Sequence, residues 1–242
     1  MLLLGNMGTS GNYTSYSLGI NGLMIDIDNL AAMPAADDFE FKIGNVSSSS
    51  NWLPVEVLPT ITVRTGAGVN NSDRVTLIWP DNSIENQWLE VTVLDTDKTD
   101  LPAPDVFYVV NAIGESENNE MNAFVDGSDF AGARDNPHNF INRANVEDRF
   151  ACNRDSFVDG TDHAISRDNA TNFLTGLKLI SLPAATGASL VRSSSQISML
   201  PLAELINWSQ HSQIEWNLAC KLTARIEWNS ARSSSLPRAR LG

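Results

Sequence analysis

Cysteine, histidine, basic side chains and aromatics are all scarce: two Cys, three His, 16 Lys and Arg against 29 Asp and Glu, and 7% Phe, Trp and Tyr in 242 residues. Each shortage removes a class of function. Cys152 and Cys220 belong to no paired motif, which argues against a structural disulfide and leaves free thiols as the default. His138, His163 and His211 stand far apart, without the spacing of zinc ligands. A formal charge of −13 argues against nucleic acid or an anionic membrane as the main partner, because phosphate binding rests on Lys and Arg. No stretch approaches about 18 consecutive apolar residues, so no spanning helix is expected. There is no Gly-x-Ser-x-Gly elbow or other nucleophile signature, and no catalytic site is expected. The opening Met1-Leu2-Leu3-Leu4-Gly5 is too short for a secretory signal and reads as an internal start within a longer coding sequence.

What is present divides by texture. Runs 16–27, 39–43, 61–64, 74–79 and 88–94 are β-branched or aromatic-rich, and turn-formers such as Gly66-Ala67-Gly68-Val69-Asn70-Asn71 separate them. Five or more short strands predict an antiparallel, Ig-like β-sandwich over 1–104, truncated at its start. Leu101-Pro102-Ala103-Pro104 then reads as a stiff boundary. Residues 183–242 hold three acids against six bases, whereas the first 182 hold 26 against ten. That Ser-rich tail, with a helical stretch expected over 202–222, is read as poorly ordered and is assigned no function.

Between them the chain repeats itself. Phe124-Val125-Asp126-Gly127-Ser128-Asp129 and its continuation to Phe140 align with Phe157-Val158-Asp159-Gly160-Thr161-Asp162 and its continuation to Phe173, at an offset of 33 with 11 of 17 positions identical. Two copies are too few for a solenoid, so a two-fold pair of small units over 105–182 is expected. In the second copy Asn153, Asp155, Asp159 and Asp162 fall at positions 3, 5, 9 and 12 of a 12-residue loop, with the Phe157 carbonyl at position 7 and Val158 pointing into the core at position 8. The first copy offers Asn118, Glu120, Asn122, Asp126 and Asp129, with the Phe124 carbonyl and Val125 at the matching positions. Asn111 and Glu115 are alternative early ligands if that loop carries an insertion. Oxygen donors at alternate positions suit a hard cation such as Ca²⁺, which takes six to eight oxygens. The stretch 164–168 reads helical, with Asp162 near the helix start.

These residues resemble the type I dockerin module, a pair of calcium loop–helix units whose loops end in Asp. The likeness is strongest to dockerin-like ends of planctomycete-type extracellular proteins, in which Asn-Ala-Ile-Gly-Glu (here Asn111 to Glu115), Phe-Val-Asp-Gly-Ser/Thr-Asp and Arg-Asp-Asn follow β-sandwich domains. The resemblance implies two bound Ca²⁺, a secreted or cell-surface setting, a cohesin-like partner or surface scaffold, and association with polysaccharide breakdown. It also implies partner contacts at Gly127, Ser128, Gly160 and Thr161, followed by Arg134 and Arg167. Three positions depart from it: Ala151 stands where the second loop should begin with Asp, and Ser156 and Ala123 replace the position-6 Gly.

Blander readings stand beside these. Ser128 and Thr161 can simply cap the helices they open. Asp95, Asp97 and Asp100 read as a solvated turn, and Asp26 and Asp28 as the exposed face of a strand. The main expectation is a non-catalytic, calcium-stabilised docking module. A structural or adhesive surface protein is the alternative, and a carbohydrate-binding sandwich using Trp52, Trp79 or Trp88 is a third.

Overall fold

A computed structural model describes residues 2–182, apart from 4, 10, 11, 47, 120 and 121, together with Ser198 and Met199. The described residues are mostly antiparallel β-sheet with two helices. Its strands are β1 (Leu2–Leu3), β2 (Tyr13–Thr14), β3 (Gly22–Ile27), β4 (Phe39–Gly44), β5 (Leu53–Pro54), β6 (Thr60–Arg64), β7 (Asp73–Ile78), β8 (Trp88–Val93), β9 (Asp105–Asn111) and β10 (Ser198–Met199). Helices α1 (Gly127–Asp135) and α2 (Gly160–Asp168) follow β9.

One sheet runs β1-β9-β8-β4-β5, with β2 joining β9 in parallel; the other runs β10-β3-β7-β6. Strand periodicity explains the layers. Alternate residues of β8 and β9 (Leu89, Val91, Val93, Phe107, Val109) meet Leu23, Ile25, Val75 and Leu77 of the second sheet in one buried cluster. The ring of Phe41 meets Trp79 edge-on at 5.3 Å across that core. The intervening residues point to the opposite face, where Trp88, Tyr108 and Val110 form a second cluster with Leu177, Ile180 and Leu182. The segment after α2 therefore returns onto the back of the larger sheet. Trp88 Nε1 donates to the Lys178 carbonyl at 2.8 Å, and Gly8 N donates to that of Ile180 at 2.8 Å.

Four expected strands match observed ones closely: β4, β6, β7 and β8. The run 16–27 becomes a strand only from Gly22, because Leu18 and Gly19 turn the chain and Gly19 takes φ +77°. The break at 101–104 is a connection inside one sheet, since β9 begins at Asp105 and pairs antiparallel with β8 from Val93↔Asp105 to Trp88↔Val110. The sheet thus extends one strand beyond residue 104. Asp26 is not on an exposed face. It is 1% exposed and takes a two-toothed ion pair from Arg74, with Nε–Oδ1 at 2.7 Å and Nη2–Oδ2 at 2.8 Å. Burial alone would raise its pKa, yet the hydrogen bonds from Arg74 and the Val69 N–H hold it below the ordinary carboxylate value. The expected helix at 202–222 and the disorder expected of 183–242 fall outside the described residues; within that stretch Ser198–Met199 pairs antiparallel with β3.

Candidate functional site: a two-fold pair of loop–helix units

Both helices open the same way. Asp126 and Asp159 are the N-caps, accepting from Ser128 N and Thr161 N at 2.7 Å each. Asp129 and Asp162, two residues into each helix, reach back to Asp126 N and Asp159 N at 2.7 and 3.0 Å, which completes a reciprocal capping box. The capping role weighed for Ser128 and Thr161 therefore belongs to the preceding Asp residues. The helix ends match too: Asn136 Nδ2 donates to the Gly132 carbonyl and Asn169 Nδ2 to that of Ile165, each at 2.9 Å.

The two copies exchange backbone bonds. Thr171 N donates to the Val125 carbonyl at 2.8 Å, and Val125 N donates to Thr171 Oγ1 at 2.9 Å. Shifted by one repeat, His138 N donates to the Val158 carbonyl at 3.1 Å and Val158 N donates back at 3.2 Å. Each loop thus pairs with the segment that follows the other copy's helix. Phe130 and His163, equivalent in the alignment, meet edge-on at 5.7 Å. Val125 and Val158 are buried at 2% and 1%, as loop-core side chains.

The second halves of the loops agree and the first halves do not. Asn122 and Asp155 each form the same turn, with Oδ1 accepting from Phe124 N at 3.1 Å and from Phe157 N at 2.8 Å. Asn153 adds a further turn by accepting from Asp155 N at 3.1 Å, and its Nδ2 donates to Asp155 Oδ2 at 2.9 Å. Arg154 and Ser156, at positions 4 and 6, take φ of +58° and +73°. The backbone therefore keeps the sharp bend for which position 6 ordinarily uses Gly.

Asp162 is fully buried and accepts Asn153 N at 3.3 Å, Asp159 N and the Cys152 N–H; burial, ahead of these bonds, raises its pKa. In the first copy Asp129, also fully buried, accepts Ser116 N at 2.8 Å and Ser116 Oγ at 2.7 Å. Ser116, and not Asn118 or Glu120, takes the place that Asn153 fills beside its helix acid. Asn118 instead donates its N–H to Glu115, and Glu120 lies outside the described residues. Four extra residues in the first loop account for the difference, which is the insertion that raised Asn111 and Glu115 as alternatives. Asn111 serves the sheet: its Nδ2 donates to the carbonyls of Thr14 at 3.1 Å and Tyr16 at 2.9 Å.

Glu115, an alternative early ligand on spacing, is a buried acid of the first unit. It is 1% exposed, its Oε1 accepts Glu117 N at 2.8 Å, and its Oε2 has no hydrogen-bond partner. Burial, reinforced by the charge of Asp129, pushes its pKa up to about 7. The signal in the sequence was its place in Asn-Ala-Ile-Gly-Glu, next to the Gly114 turn.

Oxygen donors suited to a hard cation are gathered in the second loop: Asn153, Asp155, Asp159, Asp162 and the Phe157 carbonyl. Asn153 and Asp155 each keep lone pairs free beside their hydrogen bonds, whereas Asp162 already takes three N–H donors on its two oxygens. The loop fits such an ion in donor type and backbone bend. In the first loop Ser116 supplies both a main-chain and a side-chain donor to Asp129 Oδ1, and Glu120 lies outside the described residues. Among the described residues, no three or more His, Cys, Asp or Glu side chains converge into a ready metal cage.

Gly127, Ser128, Arg134, Gly160, Thr161 and Arg167 are exposed, and each Arg pairs with the next residue, Arg134 with Asp135 at 2.7 Å and Arg167 with Asp168 at 2.8 Å. Trp52, Trp79 and Trp88 are buried at 5%, 2% and 0% and present no ring on which a sugar can stack. Cys152 is buried, and its burial pushes the thiol up to about 12. Cys220 and His211 lie outside the described residues.

The fold and site define a β-rich mixed protein that carries a two-fold pair of loop–helix units. No family model, curated protein or solved structure matches the chain.

Proposed function

We propose that the loop–helix pair is a non-catalytic docking module of dockerin type, in which calcium at the second loop holds a binding surface in shape. The reciprocal exchange between Val125 and Thr171, and between Val158 and His138, carries this reading. It makes two equivalent faces from one duplicated unit, and each face exposes Gly-Ser or Gly-Thr at its helix start and an Arg near its helix end. Asn153, Asp155, Asp159, Asp162 and the Phe157 carbonyl would hold the ion, which would supply positive charge between the buried Asp162 and the exposed Asp155 and Asp159. The partner is a cohesin-like module on a cell-surface scaffold, and the setting is extracellular, beside polysaccharide-degrading activity that these residues do not themselves perform. No helix among the described residues is long and apolar enough to cross a membrane.

Two measurements on the full chain test this. Calorimetric titration with CaCl₂ after exhaustive chelation should show one site, abolished by Asp155→Ala, whose side chain is exposed and tolerates truncation. An immobilised panel of cohesin modules should retain the chain with calcium and release it in EDTA. Heat-silent titration, or retention indifferent to EDTA, would end the calcium half of the proposal.

A further inference from the structure

After the helix of each repeat the chain makes the same small turn. Asn139 Oδ1 accepts from Ile141 N at 2.9 Å and Asn142 N at 3.3 Å. One repeat later, Asn172 Oδ1 accepts from Leu174 N at 2.8 Å and Thr175 N at 3.2 Å. An Asn opening such a turn is ordinary; what it displays is not. The two positions at each tip are Phe140-Ile141 and Phe173-Leu174, exposed by 75%, 83%, 74% and 73%. Single apolar residues on a surface need no explanation, but here adjacent pairs recur at symmetry-equivalent places. The two rings alone bring roughly 300 Å² of apolar surface that folding leaves in water.

The chain around each tip lacks acids. Residues 136–146 and 169–182 contain no Asp or Glu, in a chain with 29 of them, and each stretch carries one exposed base, Arg143 or Lys178. Arg143 follows the first tip by two residues and lies over the Phe157 ring, 5.0 Å from its centroid, and Lys178 follows the second tip by four. An apolar pair with a cation beside it, on an otherwise acidic body, complements an apolar pocket bordered by carboxylates.

We propose that the Phe140-Ile141 and Phe173-Leu174 turns are the hydrophobic anchors by which this chain docks, and that each fits an acid-rimmed apolar pocket on a protein partner. The inference rests on the docking reading above, but it moves the binding energy from the helix-start Gly-Ser and Gly-Thr pairs to the turns after the helices. Anchors of this kind dominate affinity, while surrounding polar contacts chiefly set orientation. Because two tips are equivalent, either one can occupy a single pocket, so loss of one is compensated by the other.

The test uses the full chain and the cohesin panel, divided into modules whose docking faces are acidic or basic. Wild type should be retained by acidic modules and not by basic ones. Phe140→Ser with Ile141→Ser should weaken binding about twofold, as should Phe173→Ser with Leu174→Ser, and all four together should weaken it at least a hundredfold. Thermal unfolding of each variant should match wild type, since the four side chains are exposed. Arg143→Glu with Lys178→Glu should weaken binding at least tenfold and flatten its salt dependence. Failure of every module to retain wild type ends the docking reading and this inference with it. Retention of the quadruple variant at wild-type affinity ends this inference alone. Co-sedimentation of wild type, but not the quadruple variant, with phosphatidylcholine vesicles in the absence of protein binding overturns it in favour of a lipid surface.

Discussion

Glu115 and Asp26 show how burial can act on a carboxylate in opposite directions. Glu115 is buried without a cation and beside the charge of Asp129, so its proton is held until about pH 7. Its folded pKa lies above the ordinary value, so the folded state binds the proton more tightly and stability falls as pH rises from about 4.5 through 7. Glu115→Gln keeps the oxygen that accepts Glu117 N and removes the titration. In EDTA it should raise stability at pH 8 by roughly 2–3 kcal/mol and leave it nearly unchanged at pH 4.5, by urea unfolding at the two pH values. Equal effects at both would show that the acid is not strained. Asp26 has the reverse sign, since Arg74 holds its pKa low; its stabilisation is present at neutral pH and is lost as pH falls through the lowered value. Asp26→Ala should cost about 3–5 kcal/mol at pH 7, because it leaves a half-buried guanidinium without its carboxylate.

At the scale of elements, the turn at Gly114 locks the first loop to the second helix. Gly114 takes φ +82°, a Cβ there would lie 2.8 Å from Ser166 Cα, and Ser166 Oγ donates to the Gly114 carbonyl at 3.0 Å. Gly114→Ala should destabilise by about 2–3 kcal/mol from the combined strain and clash, measured by thermal unfolding. The helices themselves are only nine residues each and too short to persist alone. Within the repeat the sequence pointed to a helix only over 164–168, with Thr161 as a possible cap, whereas the helix starts at Gly160 behind an Asp159–Asp162 capping box. The partner of each loop was not legible. Nothing local to Val158 points to His138 rather than to Val125, and only the packing of two copies selects it. The four extra residues of the first loop shifted the apparent ligand spacing, so an alignment without gaps placed Glu120 where Ser116 stands.

Across the whole molecule, the helical pair and the β-sheets share a core. Trp88 is fully buried, sits on β8 and donates to the Lys178 carbonyl beyond α2. Leu177, Ile180 and Leu182 cover the same face of the sheet. Separate melting of the two parts is not expected. Calcium should raise the midpoint of a single transition, by about 2.7 kcal/mol at a hundredfold excess over its dissociation constant, which is a few degrees for a chain of this size. Two calorimetric transitions, with only one responding to calcium, would contradict the shared core.

Period-two apolar patterning and turn-formers were enough to determine that the first hundred residues make β-strands, and a 33-residue repeat was enough to determine a pair of similar small units. These are local properties, written in neighbouring side chains. Tertiary structure alone decided that β9 closes the sheet beyond Pro104, that Asp26 faces Arg74 in the interior, and that Trp52, Trp79 and Trp88 are core. It also decided that Phe140, Ile141, Phe173 and Leu174 stand in water. The physical reason is common to all four: whether a side chain is buried depends on what packs against its face, and that neighbour comes from a distant part of the chain.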